Sequence, residues 1–278
     1  MTRTKLVMIE GIMGSGKTST AQHITDRLRA QGRTTDLFLE GDLDHPADYD
    51  RVACLTHDAY QSLCEQHPGC AAALQQAVTR DGDDWLVPYG KLDQQIPPSL
   101  THKLQQFDIY DGIDLVNHSR LLQASWSQFA ERAVERDVTT VLECCFLQNP
   151  MCAFLAKHDA GIEAAAQHVL RLAELIGPLH PLLFYYYQPD VRKTVERVCA
   201  ERPKAWLDFV IQYHTEQEYG KAHRLHGFDG LIEFLQMRQE VELEICKRLP
   251  FETVILENDD HDWPRLLALV DAELQARL

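Results

Sequence analysis

Apolar positions along the chain follow two different rhythms. Mainly apolar runs, rich in β-branched and aromatic residues, occupy about 5–9, 35–39, 138–146, 180–187 and 251–256. Between them, apolar residues return every three or four positions: over 16–30, 119–136, from Pro150 to about 176, after Gln188-Pro189-Asp190, and over 206–219, 228–249 and 263–278. Short runs of this kind read as strands buried on both faces, and the three-to-four rhythm reads as amphipathic helices. Strands that alternate with helices in this way predict an α/β fold, a parallel sheet with helices on both faces. No internal repeat or low-complexity segment interrupts the alternation.

Two stretches depart from it. Residues 50–78 are helix-patterned but broken at Pro68-Gly69. Residues 81–112 carry Gly82, Pro88, Gly90, Pro97, Pro98 and Gly112, and set Trp85, Tyr89 and Tyr110 among polar neighbours. A long Pro/Gly-punctuated segment inside an α/β domain is usually functional or disordered. Its aromatics favour an insertion at about 81–116 that exposes them and covers a substrate.

The sharpest local signal lies where the first run ends. Gly11-Ile12-Met13-Gly14-Ser15-Gly16-Lys17-Thr18 fits G-x-x-x-x-G-K-[ST], with a strand before it and a helix after it, the context a phosphate-binding loop requires. Gly11, Gly14 and Gly16 permit backbone conformations closed to other residues, so that successive N–H groups converge on phosphate oxygens at the positive end of the following helix. Lys17 then reaches the β- and γ-phosphates, and the Thr18 hydroxyl ligates Mg²⁺. Met13, Ser15 and Ser19 complete the expected contacts to a nucleoside triphosphate, ATP or another NTP.

Composition narrows the class. With 278 residues the chain is long enough for one large α/β domain. A net charge of −15 disfavours nucleic acid and anionic membrane surfaces, which need a basic face. No C-x-x-C pair occurs among the eight cysteines, which read as reduced, packed thiols. Without an h-region at the N-terminus or an apolar run of spanning length, a cytoplasmic enzyme is expected.

Two further sets of residues point at the loop. The second run ends in Glu40-Gly41-Asp42, and ligands of open α/β sheets bind beyond the carboxyl ends of strands. Glu143 is the only charge in the third run, where a carboxylate is costly unless something pairs with it.

The loop, the acids after strand two, Glu143 in strand three, and Gln188-Pro189-Asp190 leading to Arg197 and Arg202 together resemble the P-loop kinase superfamily, in particular its nucleoside and nucleoside monophosphate kinase branch. The resemblance implies a three-layer α/β sandwich over 1–278, a five-stranded parallel sheet of order 2-3-1-4-5 with helical insertions, and a basic lid at about 190–226. It gives Lys17 and the loop amides to the donor phosphates and Thr18 to Mg²⁺. Glu40 or Asp42 would take the proton of the attacking hydroxyl, and Glu143 would orient the metal shell. Arg197 and Arg202 would stabilise the transferred group. Many such kinases carry an arginine directly after the strand-three acid, where this chain has Cys144.

The acceptor side, from Glu40 to Asp114, is rich in acids and poor in arginine and lysine. An acceptor that already carries a phosphate would want converging arginines. The expectation is therefore a neutral or cationic hydroxyl compound such as a nucleoside, sugar, amino-sugar or antibiotic-like molecule, with Glu40, Asp42, Trp85, Tyr89 and Arg120 as candidate contacts. A nucleoside monophosphate kinase, an NTP-dependent switch or ATPase governed by a protein partner, and a non-catalytic nucleotide-binding module are the alternatives. Sheet edges and the face over 231–249 would allow a homodimer.

Overall fold

The computed structural model describes residues 3–277. Among them are eight strands: β1 (Leu6–Gly11), β2 (Thr35–Phe38), β3 (Ala53–Leu55), β4 (Thr79–Asp81), β5 (Asp84–Val87), β6 (Thr139–Glu143), β7 (Leu182–Tyr187) and β8 (Glu252–Glu257). The helices are α1 (Lys17–Ala30), α2 (His57–Gln66), α3 (Ala71–Ala77), α4 (Pro98–Gln105), α5 (Leu115–Glu135), α6 (Gln148–Met151), α7 (Ile162–Ile176), α8 (Val191–Glu201), α9 (Lys204–Thr215), α10 (Glu218–Ala222), α11 (Gly227–Cys246) and α12 (Trp263–Arg277). They form two compact units, the first running up to Glu40 and again from Trp126 onward, the second spanning Gly41–Ser125.

In the first unit five strands lie parallel in the order β2-β6-β1-β7-β8. The labels depart from a running 2-3-1-4-5 because the second unit inserts three strands of its own after β2. The central β1 is buried along its whole length, which is why its sequence is apolar without alternation. Its odd residues Val7 and Ile9 share a face with Phe184 and Tyr186 and pack with Ile24 and Leu28 of α1 and Leu266, Val270 and Leu274 of α12. Each such fully buried side chain stabilises the fold by about 1.5–3 kcal/mol. The even positions take the other face, where Glu10 stands in register with Tyr185.

The helix expected from Pro150 to about 176 is broken in two. A π-helical turn at Cys152–Lys157 follows α6, and left-handed Asp159 (φ 44°) and Gly161 (φ 88°) reset the chain before α7. The strand expected over 138–146 ends at Glu143, because Cys144 turns the backbone left-handed at φ 68°.

The second unit is a three-stranded antiparallel sheet, β3-β5-β4, with α2, α3 and α4 around a core that includes Leu55, Tyr60, Leu74, Val87, Tyr89, Leu100 and Leu104. The sequence led us to expect helix over 50–78 and a long loop over 81–112. Instead 53–55 is strand, and the glycines and prolines punctuate short elements: Gly82 turns the β4–β5 hairpin at φ 59°, and Pro98 takes the first turn of α4. The separate unit is thus wider than the expected insertion at 81–116. No described helix is long and apolar enough to cross a membrane.

Candidate phosphate-binding site

The loop at the carboxyl end of β1 is shaped by contacts that exclude side chains. Gly11, Gly14 and Gly16 adopt φ values of 140°, 77° and 103°. A Cβ on Gly14 would lie 2.0 Å from Val198 of α8, and one on Gly16 would lie 2.1 Å from the Trp263 ring. Glycine is therefore required twice over, by backbone conformation and by close packing. Asn258, which follows β8, donates from Nδ2 to the Ser15 carbonyl at 2.7 Å. The Ser15 hydroxyl is buried and makes no hydrogen bond among the described residues. Such an orphan calls for a partner that the protein does not supply.

Lys17 opens α1 and is almost wholly buried, with its Nζ donating to the Ile12 carbonyl at 2.9 Å across the loop. Burial alone would lower the pKa of its ammonium, but the Glu40 and Glu143 carboxylates act against that, and the net shift is upward. The group is held as a cation inside the loop that a polyphosphate would enter.

Thr18 donates from Oγ1 to Glu143 Oε1 at 2.6 Å, a contact across 125 positions of sequence. The other oxygen of Glu143 accepts from the Glu40 amide at 3.4 Å, and Glu40 Oε1 accepts from Gln148 Nε2 at 2.7 Å. Ligand atoms of Glu40, Glu143 and Cys144 lie within 4.8 Å of one another. Two carboxylates and a threonine hydroxyl are the hard oxygen donors that Mg²⁺ takes. Burial pushes the Cys144 thiol well above its usual range, so it stays neutral and is no ligand for a hard cation. The donor set fits a magnesium-complexed triphosphate.

Glu10, the residue before the loop, accepts from the amides of Phe146 at 2.7 Å and Gln148 at 3.0 Å. Its pKa is raised to about 7, chiefly by burial, against the opposing pull of backbone amides from the same segment. On the same face Arg238 of α11, also buried, donates to the Gly11 carbonyl at 3.3 Å and pairs with Glu242, which accepts from the Tyr185 hydroxyl at 2.7 Å. A charge inside the first apolar run was the available signal for Glu10. Arg238, Gln148 and Asn258 sit in stretches whose polar residues look like surface, and their roles come only from folding.

The remaining sequence candidates are distributed unevenly. Arg197 lies on α8 next to Val198, which packs at Gly14, and its Nη1 is buried without a hydrogen-bond partner among the described residues. Arg202 follows the end of α8, exposed, with its guanidinium 5.9 Å from the Trp206 ring centroid. Met13 within the loop is half-buried, and Ser19 just after it is exposed. Asp42 accepts from the amide of Asp44 at 2.9 Å, a local turn.

In the second unit, the expected display of aromatics is not what the chain builds. Trp85 is half-buried, stacked on Tyr60 at 4.6 Å, with Arg80 over its ring. Tyr89 is buried and donates to Asp108 at 2.8 Å, and Arg120 pairs with Asp84 at 2.8 Å. The two aromatics belong to the unit's own core, while Arg120 is exposed.

A family model described as Nephrocystin 3, N-terminal, matches residues 1–141. The chain belongs to this family. The Nephrocystin 3, N-terminal match takes in the whole loop, Lys17, Thr18, Glu40 and the second unit, and stops in β6 just short of Glu143. None of the curated proteins compared with the chain matches it.

Proposed function

We propose that the chain is a small-molecule kinase that transfers the γ-phosphoryl group of ATP or another nucleoside triphosphate to a hydroxyl of a neutral or cationic acceptor. The observation that carries this reading is the contact of the Thr18 hydroxyl with Glu143, with Glu40 beside them at the mouth of a glycine loop that encloses Lys17. The reading agrees with the resemblance to nucleoside-type P-loop kinases.

Thr18 and Glu143 would hold Mg²⁺, which on binding supplies charge neutralisation for the phosphate oxygens. Lys17 would leave the Ile12 carbonyl for the donor phosphates, and the Ser15 hydroxyl would donate to one of their oxygens. In the transfer, the acceptor oxygen bonds to the γ-phosphorus as the bond to the β–γ bridging oxygen breaks, and the nucleoside diphosphate leaves with that electron pair. Glu40 is the better placed base for the acceptor proton, since Asp42 is engaged in its own turn. Arg197, with a guanidinium nitrogen uncommitted, is a better candidate than Arg202 to meet charge on the transferred group.

The second unit supports an acceptor without a phosphate of its own. Arg51 pairs with Asp93, Lys91 with Asp44 and Arg120 with Asp84, while Lys103 donates to Gln66 and Arg80 lies over Trp85. No arginine pair is left there, among the described residues, to grip a monophosphate. The test is a screen of nucleosides, sugars and aminoglycoside-like alcohols for acceptor-dependent ADP formation, with Lys17→Ala as control. Phosphorylated product that disappears in the control is expected. Hydrolysis indifferent to every alcohol but stimulated by a protein would instead mark a switch, and tight use of a nucleoside monophosphate would overturn the acceptor class.

A further inference from the structure

Helix α11 carries a polar triplet where a helix packed against a sheet would ordinarily be apolar. Arg238, Gln239 and Glu242 are all buried on it, between Leu235 and Ile245. Arg238 and Gln239 meet the ends of two strands at the phosphate loop, and Glu242 meets the interior of one of them. Arg238 donates to the carbonyl of Gly11, the last residue of β1. Gln239 accepts from the Gln188 amide at 2.8 Å and donates to the Gln188 carbonyl at 2.9 Å, directly after β7, so its side chain extends the β-ladder by one rung. Glu242 holds the Tyr185 hydroxyl within β7.

Stability does not account for this set. Arg238 Nε and Glu242 Oε1 lie 3.2 Å apart as an ion pair, yet they are out of hydrogen-bond alignment, and both atoms are left without a hydrogen bond in the interior. A buried pair of that kind is commonly no better for folding than apolar side chains of the same volume. What the arginine does that an apolar residue could not is draw the Gly11 carbonyl backwards. A trans peptide is planar with its C=O and N–H opposed, so fixing that carbonyl also fixes the direction of the Ile12 N–H, the first amide of the loop.

We propose that Arg238, supported by Glu242 and seconded by Gln239, is a positioning residue that pre-sets the phosphate loop for its ligand from the opposite face of the sheet. The proposal rests on the reading of the loop as a triphosphate site, but its structural half stands apart from that reading. A loop already held in its binding geometry loses less conformational freedom when the polyphosphate enters, and so binds it more tightly.

The deciding variant is the full chain with Tyr185→Phe, Arg238→Met and Glu242→Leu together, which removes the ion pair and the hydroxyl bound to it at once and releases the Gly11 carbonyl. Thermal melting is expected within a few degrees of the native chain. Hydrogen exchange in nucleotide-free protein should accelerate at least tenfold at the amides of 12–16 while those of 7–9 and 183–184 stay as protected as before. The Kd for Mg²⁺-ATP should rise about tenfold or more. Unchanged loop exchange, or acceleration shared equally by the strands, overturns the proposal, because Arg238 would then be filling the core. If the native chain binds no nucleoside triphosphate, the kinase reading fails while the exchange comparison still decides whether Arg238 orders the loop.

Discussion

Lys17 is the residue on which the proposed nucleotide binding turns, because it is a cation kept in the interior, hydrogen-bonded to the Ile12 carbonyl and favoured by the nearby Glu40 and Glu143 carboxylates. Replacing it by alanine removes charge-assisted contacts worth about 1.5–3 kcal/mol, on the order of a hundredfold in Kd for Mg²⁺-ATP by calorimetry. Glu40→Gln tests the base: kcat should fall by about 10²–10⁴ with KM little changed, the usual reach of general-base catalysis. An equal loss from Asp42→Asn with none from Glu40→Gln would reverse the assignment. Lys17, Thr18 and Glu40 were legible in the sequence, since the motif and the strand end are local patterns. Glu10 was visible as a charge in a strand, but its tie to the 146–148 amides joins residues 136 or more positions apart.

At the scale of elements, the loop depends on the helices pressed against it. Gly14 combines φ 77° with a space already filled by Val198 of α8. Gly14→Ala is therefore expected to destabilise the chain by more than about 1 kcal/mol, read from urea unfolding, and to weaken nucleotide binding by pushing α8 away. In the second unit, the Thr56 hydroxyl accepts from the Ala59 amide at 3.2 Å and caps α2. Thr56→Ala should cost about 1 kcal/mol there, read by hydrogen exchange over 57–66, with the loop amides unaffected. In this unit α2 and α3 follow the expected helical pattern on either side of Pro68-Gly69, whereas β3 was misread as helix and the hairpin and α4 as loop. Its strands are three or four residues long, too short for a rhythm, and its prolines start helices as readily as they end them.

For the whole molecule, two buried groups make opposing contributions to the pH dependence of stability. Glu10 has a folded pKa near 7, above its unfolded value of 4.5, so the stability it contributes is full below about 4.5 and lost as pH rises through 7, on the order of 3 kcal/mol by linkage. His214, whose folded pKa burial lowers from 6.5 to about 4, contributes stability that is present above 6.5 and lost as pH falls toward 4. Because these two windows overlap with opposite sign, the melting temperature should change little between about pH 4.5 and 6.5, and Glu10→Gln should unmask the His214 effect as a rise from pH 4 to about 6.5. A variant profile as flat as the native one over that range would remove Glu10 as the opposing group.

Sequence alone determined the alternation of strands and helices, the glycine loop, and the lysine and threonine within it. Each of these is written in residues that are neighbours along the chain, where steric and periodic rules act directly. Tertiary structure decided which distant groups meet there. Glu143 reaches Thr18 across 125 positions and Arg238 reaches Gly11 across 227. Such pairings follow from strand order in the sheet and from the face that a helix turns inward, and no short stretch of sequence records either.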